Sequence, residues 1–166
     1  MRPLAFVDLE TTGATATHDR ITEIGIVEVD ADGAVREWQQ LVNPGMRIPP
    51  FIEQLTGISN DMVADAPPFE TVAAETMKRL EGRLFIAHNA RFDYGFLKNE
   101  FKRLGITFRA SVLCTVKLSR TLFPEHKRHN LDSLIERYDL QAAARHRALA
   151  DAQLIFQFWQ KIHVDR

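Results

Sequence analysis

Two carboxylates stand close together near the start of the chain, at the end of an apolar run. The segment "AFVDLETTG", Ala5 to Gly13, is short, mostly apolar in its first half and bounded by Pro3 and Gly13, which predicts a buried strand. Side chains two residues apart on a strand point to the same face, so Asp8 and Glu10 are expected side by side. Because like charges repel and are costly to desolvate, this pair needs either basic partners or a bound cation.

The turn that follows the pair contains no basic residue. Thr11, Thr12 and Gly13 come directly after Glu10, and glycine lets a backbone approach a ligand closely. Open sheets bind their ligands at the carboxyl ends of their strands, which is where this turn lies. The motif by itself favours a metal site, with a solvent-exposed strand end as the alternative.

A third acid, Asp93, lies in "FIAHNARFDYGFL", where a buried strand ends and a helix begins. An acid in the first turn of a helix is often explained by the helix dipole alone. Here, however, Phe92, Phe96 and Leu97 define the apolar side of the helix, and Asp93 is adjacent to them at helical spacing. Asp93 is therefore expected to border the core.

A fourth acid, Asp151, lies within the strongly apolar segment "RHRALADAQLIFQFW". It is one turn from Ala148 and Ile155, so it is expected to face inward, where an unpaired charge would be destabilising. His146 stands five residues earlier, at or just before the predicted helix start, and is expected near the same centre. Taken alone, His146 would more often be a surface histidine.

Four carboxylates that converge on one point are explained by cations. Two divalent ions held close together stabilise both the attacking and the leaving oxygen in a displacement at phosphorus. Oxygen ligands favour Mg²⁺ or Mn²⁺ over Zn²⁺. A histidine side chain, whose ordinary pKa is about 6.5, suits removal of a proton from the attacking water.

Hydrophobic periodicity predicts the elements that must bring these acids together. The runs "RITEIGIVEVD" and "AVREWQQLV", separated by the turn signal "DADG", extend the first strand into a three-stranded antiparallel unit. Helices are then predicted at "FIEQLTG", "APPFETVAAETMKRLEG" and "ARFDYGFLKNEFKRLG", strands at "RLFIAH" and "SVLCT", and helices at about 116–122, 131–138 and 147–162. This order indicates an α/β fold with a mixed sheet flanked by helices, in a single domain over residues 1–166.

Composition is that of an ordinary globular protein, with 45% hydrophobic and 26% charged residues. No apolar run approaches the roughly 20 residues that span a bilayer, and no signal peptide is recognisable, so no membrane partner and a cytoplasmic location are expected. The single cysteine, Cys114, lies in an apolar run and is read as a structural thiol rather than a nucleophile.

Charge is unevenly distributed along the chain. Residues 1–75 contain 4 Lys and Arg against 13 Asp and Glu, whereas residues 76–166 contain 17 against 9. Such asymmetry suits a surface for a polyanion, although solvated helix faces are an equal alternative. The residues expected to follow a phosphate backbone are Lys127, Arg128, Arg145 and Arg147.

Three segments together resemble a known family. "VDLETTG", "HNARFDYGFL" and "HRALADA" are similar, in order and separation, to the three motifs of the DnaQ-like DEDDh 3′–5′ exonucleases, which include the proofreading epsilon subunit of bacterial DNA polymerase III. The four residues between His146 and Asp151 match the histidine branch of that superfamily. The similarity extends from about Ala5 to Phe158, with Gln54 standing where many members carry a histidine.

The resemblance implies a ribonuclease-H-like fold and 3′-to-5′ release of nucleoside 5′-monophosphates from single-stranded or frayed ends, DNA being favoured over RNA. It implies two Mg²⁺ or Mn²⁺ ions, the first held by Asp8, Glu10 and Asp151 and the second by Asp8 and, through water, Asp93. His146 would be the general base. The residues implied to contact the terminal nucleotides are Thr11, Thr12, Leu55 and Phe92.

Alternatives of other classes remain open at this point. A DnaQ-like fold can serve as a non-catalytic binding module of a polymerase or RNA complex, and an acidic pocket can act on small phosphate esters. Within the enzyme hypothesis, a polymerase-bound proofreading subunit and a free-standing enzyme are both compatible with the sequence. All four acids of the motif set are present, which favours an enzyme.

Overall fold

A five-stranded mixed sheet forms the centre of the computed structural model, which describes residues 1–164. The strands are β1 (Leu4–Thr11), β2 (Ile21–Val29), β3 (Val35–Leu41), β4 (Leu84–Ala87) and β5 (Val112–Cys114), in the spatial order β3-β2-β1-β4-β5. β1, β2 and β3 pair antiparallel, whereas β4 is parallel to β1 and β5 is parallel to β4. The predicted antiparallel start and the mixed sheet are therefore confirmed.

Seven helices are present in the described part of the chain: α1 (Pro50–Thr56), α2 (Asn60–Ala64), α3 (Phe69–Leu80), α4 (Ala90–Arg103), α5 (Thr115–Leu122), α6 (Leu131–Tyr138) and α7 (Ala148–Val164). The sequence pattern predicted all of them except α2. That five-residue helix begins because the Ser59 side chain accepts a hydrogen bond from the Met62 backbone N–H at 3.1 Å. None of the helices within residues 1–164 is long and apolar enough to cross a membrane.

The sheet buries both of its faces, and β1 divides its side chains between them. Ala5, Val7 and Leu9 belong to one apolar cluster, which includes residues of α3 and α4. Leu4 and Phe6 belong to the other, which includes residues of α6 and α7. Alternation along the strand therefore assigns the even-numbered side chains of β1 to the α7 face.

The start of α7 packs directly on β2. A Cβ added to Gly25 would lie 2.3 Å from the carbonyl carbon of Ala148, so the position tolerates no side chain. The carboxylate of Glu23, two residues earlier on β2, accepts a hydrogen bond from the Ala148 backbone N–H at 2.9 Å and pairs with Arg147 at 2.7 Å. These contacts fix the first turn of α7 over the sheet.

Candidate active site

Asp8 and Glu10 project from the carboxyl end of β1 toward α7. The register of β1 against β2 shifts between Glu10 and Thr11, so the ladder is interrupted immediately after the pair. Such irregularities often terminate pairing beside functional sites. The predicted arrangement of the two acids on one face is confirmed.

Asp151 joins this pair from the first turn of α7. One carboxylate oxygen from each of Asp8, Glu10 and Asp151 lies within 4.8 Å of the other two, which is a spacing that a single cation can bridge. Asp151 is 5% exposed, so the helix does face it inward as its position among apolar residues predicted. Three oxygen ligands of this kind suit Mg²⁺ or Mn²⁺.

Asp93 reaches the same end of β1 from α4. It is 3% exposed, and its Oδ1 accepts a hydrogen bond from the backbone N–H of Leu9 at 3.1 Å. Leu9 stands between Asp8 and Glu10, so this bond places the fourth acid beside the pair. The structure thus brings together all four acids that the motifs singled out.

Burial makes these acids difficult to ionise without a cation. Burial, followed by the negative charges of Asp93, Glu10 and Asp151, raises the pKa of Asp8 well above its ordinary value. Burial and the charge of Asp151 raise the pKa of Glu10 to about 8. Burial likewise raises the pKa values of Asp93 and Asp151, in the latter case against the opposing effect of Arg145.

Three buried carboxylates outside the cluster are paired with arginine, and this separates them from Asp8, Glu10 and Asp93. The structural pairs are Glu23 with Arg147 at 2.7 Å, Glu28 with Arg79 at 2.6 Å and Glu100 with Arg20 at 2.8 Å. Within residues 1–164, no ion pair is formed by Asp8, Glu10 or Asp93. The buried Asp8 Oδ2 has no hydrogen-bond partner among the described residues. An orphaned buried carboxylate oxygen in a group of acids fits a site built for a cation.

His146 lies beside the cluster, in the loop before α7. It is close enough to Asp151 to interact with it electrostatically, and its φ of 63° is in the left-handed region that residues with a side chain seldom adopt. Non-glycine residues held in this region are concentrated at functional sites. The position agrees with the expectation that His146 and Asp151 share one centre.

Arg145, which the sequence predicted to be one of four residues that follow the phosphate backbone (the phosphate track), is part of the site. Its Nη1 donates to Asp151 Oδ1 at 2.6 Å, and its Nε donates to Asp132 Oδ1 at 2.8 Å. Arg147, also assigned to the track, is instead the partner of Glu23, which is fully buried. Of the four basic residues predicted to contact phosphate, Lys127 and Arg128 are exposed.

The side chains of Thr11 and Thr12 are buried, at 7% and 1% exposure, and bonded within the turn. Thr11 Oγ1 donates to the Gly13 carbonyl at 2.6 Å, and Thr12 Oγ1 donates to Asp19 at 2.9 Å. Because both hydroxyls are bonded within the turn, we expect any contact of Thr11 and Thr12 with a nucleotide to be made by their backbone atoms. That these residues contact a nucleotide stays a prediction.

An apolar ridge lies on α1. Leu55 is 52% exposed, and Phe51, one helical turn before it, is 68% exposed. Phe51 was not among the predicted site residues, although its i, i+4 spacing with Leu55 places both on one face of a helix. Phe92, by contrast, is half-buried, with its ring 4.7 Å from that of Phe96. We refer to Phe51 and Leu55 as the α1 ridge.

His88 fixes the end of β4, from which α4 and Asp93 follow. Burial lowers the pKa of His88 to about 4, so the ring is neutral. Since a carbonyl can only accept, Nε2–H donates to the His129 carbonyl at 2.7 Å, leaving Nδ1 to accept from the Thr115 hydroxyl at 2.8 Å. Asn89 next to it has a φ of 72° and directly precedes α4. Cys114 is half-buried, and its sulfur accepts a hydrogen bond from the Ala90 backbone N–H.

Comparison with known proteins agrees with this geometry. The model of the family described as "Exonuclease" (RNase_T) matches residues 5–158. Among curated relatives, the chain is 39% identical over 155 residues to "DNA polymerase III PolC-type" of Caldanaerobacter subterraneus, covering 93% of this chain and 11% of that protein. It is 41% identical over 150 residues to "3′-5′ exonuclease DinG" of Bacillus subtilis, covering 89% of this chain and 16% of that protein.

The chain thus spans a small part of these curated relatives. Among solved structures, "Exonuclease X in complex with 5′ overhanging duplex DNA" is 28% identical with a TM-score of 0.75, covering 95% of this chain and 92% of that one. A zinc-bound complex of E. coli exonuclease I with single-stranded DNA, 18% identical with a TM-score of 0.88 and covering 100% of this chain and 41% of that one, has the same fold. The chain therefore belongs to the family of DnaQ-like exonucleases.

Proposed function

We propose that this chain is a metal-dependent 3′-to-5′ exonuclease domain that removes nucleoside 5′-monophosphates from single-stranded or frayed ends. The observation that carries the proposal is the group of four acids at the carboxyl end of β1, of which Asp93 and Asp151 are buried. Three of the four, Asp8, Glu10 and Asp93, form no ion pair with a basic residue within residues 1–164. A fold that pairs its structural acids with arginine but leaves these without one is suited to binding cations.

The residues divide into metal-binding and proton-transferring groups. Asp8, Glu10 and Asp151 would hold one Mg²⁺ or Mn²⁺ ion, and Asp8 and Asp93 a second. When bound, the ions supply positive charge that stabilises the attacking and leaving oxygens of the phosphodiester. His146 would accept a proton from the attacking water, since its loop position places it beside Asp151 without making it part of the cluster.

Backbone groups and apolar side chains of the protein would position the nucleic-acid strand. The turn at Thr11 and Thr12 lies next to Glu10, where the terminal nucleotide must approach the acids. The thioether of Met46 is 3.4 Å from Thr12 Oγ1, and the α1 ridge follows Met46 closely along the chain. Leu55, with Phe51, would therefore stack on terminal bases, and Phe92 would contact them from α4. Stacking of this kind tolerates any base sequence.

DNA is favoured over RNA as the substrate, and a role in proofreading or repair over RNA trimming. The support comes from relatives and neighbours whose names refer to a DNA polymerase and to DNA complexes. A polymerase subunit is a possible partner on the same ground, and a cytoplasmic location stays a prediction. The exonuclease domain is proposed to extend over residues 1–166.

The test is a cleavage assay on 5′-labelled single-stranded DNA and RNA of equal sequence, each with Mg²⁺ or Mn²⁺. A ladder shortening from the 3′ end is expected for the wild type and for Asp61→Asn, an exposed acid on α2, but not for Asp8→Asn. Comparison of a paired with a mismatched 3′ terminus on a duplex then measures the preference for frayed ends. If neither polymer gives a ladder although calorimetry shows that Mn²⁺ binds, the exonuclease proposal is wrong and a non-catalytic binding module is favoured.

A further inference from the structure

Arg145 connects the buried Asp151 to the protein surface. Its guanidinium donates through Nη1 to Asp151, whose side chain is 7% exposed, and through Nε to Asp132, whose side chain is 73% exposed. The Arg145 side chain itself is 24% exposed. One arginine thus holds an acid of the cluster at one end and a solvated acid on α6 at the other.

The inner partner of Arg145 is also one of the three acids with metal-ligand spacing. Asp8, Glu10 and Asp151 each offer an oxygen within 4.8 Å of the others, while Arg145 approaches Asp151 Oδ1 to 2.6 Å. A guanidinium and a divalent ion on the same carboxylate repel each other and compete for its lone pairs. Metal binding at Asp151 is therefore expected to weaken its ion pair with Arg145.

We propose that Arg145 is a further substrate-binding residue, which acts as the counter-ion of Asp151 until a metal ion takes its place and then binds a phosphate of the nucleic-acid strand. This inference rests on the proposed function. In the metal-free protein, Arg145 neutralises one of the four acids. Once displaced, its Nη groups are free, and a guanidinium offers paired donors that match phosphate oxygens.

Asp132 keeps the displaced arginine at the edge of the site. The bond from Nε to Asp132 involves a residue in the first turn of α6, outside the metal cluster, so metal binding does not require it to break. Lys127 and Arg128, both exposed, precede this helix by a few residues. The guanidinium is thus held by α6, and Lys127 and Arg128 lie beside residues of that same helix.

The first part of the test measures metal binding without nucleic acid. Mn²⁺ is titrated calorimetrically into the wild type, Arg145→Gln, Arg145→Lys and the control Arg109→Gln. Arg109 is exposed and precedes β5, so it lies at the amino ends of the parallel strands, whereas the acids lie at the carboxyl end of β1. Removal of the competing charge is expected to tighten the Mn²⁺ dissociation constant of Arg145→Gln by about threefold to tenfold. Arg145→Lys is expected to lie between Arg145→Gln and the wild type, and Arg109→Gln to match the wild type.

The second part measures the binding of a single-stranded oligonucleotide with phosphorothioate linkages at its 3′ end, by fluorescence anisotropy over a range of salt concentrations. With Mg²⁺ present, Arg145→Gln is expected to bind more weakly than the wild type and to lose about 0.7 from the salt slope, as for one phosphate contact. Without metal, the two proteins are expected to bind alike, because Asp151 still holds the guanidinium. If Arg145→Gln loses the same affinity with and without Mg²⁺, the proposal that metal binding moves Arg145 from Asp151 to a phosphate is wrong.

The outcomes separate this inference from the proposed function. If the wild type binds no Mn²⁺, the proposed function itself is wrong. A wild type that binds Mn²⁺, with Arg145→Gln and Arg145→Lys binding it no more tightly, would overturn the inference and leave the proposed function standing. If Arg145→Gln does not fold without metal, Arg145→Lys is used in its place, because it keeps a cation beside Asp151. Mn²⁺ binding by Arg145→Lys that is no tighter than in the wild type would then overturn the inference.

Discussion

The backbone of Gly25 in β2 lies against the backbone of Ala148, the first residue of α7, leaving no room for a side chain between them. A Cβ at position 25 would stand 2.3 Å from both the Ala148 carbonyl carbon and the Leu149 nitrogen. Because backbone atoms of a helix start cannot move aside singly, the helix as a whole would have to shift. Asp151 lies in the first turn of that helix, so this contact determines how closely it approaches β1.

Substitution of Gly25 by alanine is expected to disturb both stability and metal binding. Gly25→Ala should lower the free energy of unfolding by about 2–4 kcal/mol through overpacking, measured by urea denaturation. It should also weaken Mn²⁺ binding, because Asp151 moves with α7. The matched control is Gly95→Ala on α4, where a Cβ meets nothing within 4 Å, and which is expected to stabilise the protein by about 0.5–1 kcal/mol. Wild-type stability in Gly25→Ala would contradict the close contact.

Removal of one charge from the cluster is expected to stabilise the metal-free protein. Asp8→Asn replaces an acid whose buried Oδ2 atom has no hydrogen-bond partner in residues 1–164, and relieves repulsion with Glu10, Asp93 and Asp151. We expect the metal-free thermal midpoint to rise by about 3–6 °C, corresponding to roughly 1–2 kcal/mol, while Mn²⁺ binding is lost. Differential scanning calorimetry with and without Mn²⁺ measures both effects, with Asp61→Asn as the control. A lower midpoint for Asp8→Asn would mean that Asp8 has a structural role.

The stability of the metal-free protein is expected to fall as the pH rises. The pKa of Glu10 is about 8 in the folded protein against an ordinary value of 4.5, so the folded state binds the proton that the unfolded state has released. The resulting stabilisation is fully present below pH 4.5 and is lost as the pH rises through about 8. Urea denaturation of the wild type and Glu10→Gln at several pH values measures it. The decline should be smaller in Glu10→Gln, and equal declines would contradict the raised pKa.

Metal affinity is expected to change with pH in the opposite direction. Carboxylates bind metal ions in their ionised form, so at low pH Mn²⁺ must displace protons from Glu10 and its neighbours. The Mn²⁺ association constant should therefore increase with pH up to about 8, the pKa of Glu10. Calorimetric titration in buffers of different ionisation enthalpy counts the protons released. No proton release at pH 6 would indicate that the acids are already ionised in the metal-free protein.

His146 is expected to affect turnover far more than metal binding. His146→Ala leaves the four acids in place, so the Mn²⁺ dissociation constant should change by less than about threefold, while the cleavage rate falls by about 10²- to 10⁴-fold. Single-turnover cleavage and calorimetry provide the two measurements. Loss of Mn²⁺ binding in this variant would make His146 a metal ligand instead of a proton acceptor.

The α1 ridge is expected to contribute to substrate affinity without contributing to chemistry. Phe51→Ala and Leu55→Ala remove exposed side chains, so folding should be unaffected, and each should weaken oligonucleotide binding by about 1–3 kcal/mol if it stacks on a base. KM should rise with little change in kcat. Val35→Ala on β3, which is 49% exposed, serves as a control for loss of an exposed apolar side chain. An unchanged KM in both ridge variants would show that the nucleic-acid strand does not bind at the α1 ridge.

The sequence alone determined most of the elements and the identity of the acids. Alternation along β1 placed Asp8 and Glu10 on one face, and the apolar neighbours of Asp93 and Asp151 indicated that both turn inward. These inferences succeeded because they depend on local periodicity, which relates each side chain to its own strand or helix. The resemblance of three ordered motifs to an exonuclease family supplied the roles that periodicity does not give.

The tertiary structure decided which charges meet. Arg145 and Arg147 are two residues apart and look alike in the sequence, yet Arg145 binds Asp151 whereas Arg147 binds Glu23, 124 residues away. The tertiary structure also distinguished the acids that arginines neutralise from Asp8, Glu10 and Asp93, which form no ion pair in residues 1–164. The physical reason is that an ion pair depends on the separation of side chains across packed elements, and local periodicity carries no information about which elements pack together.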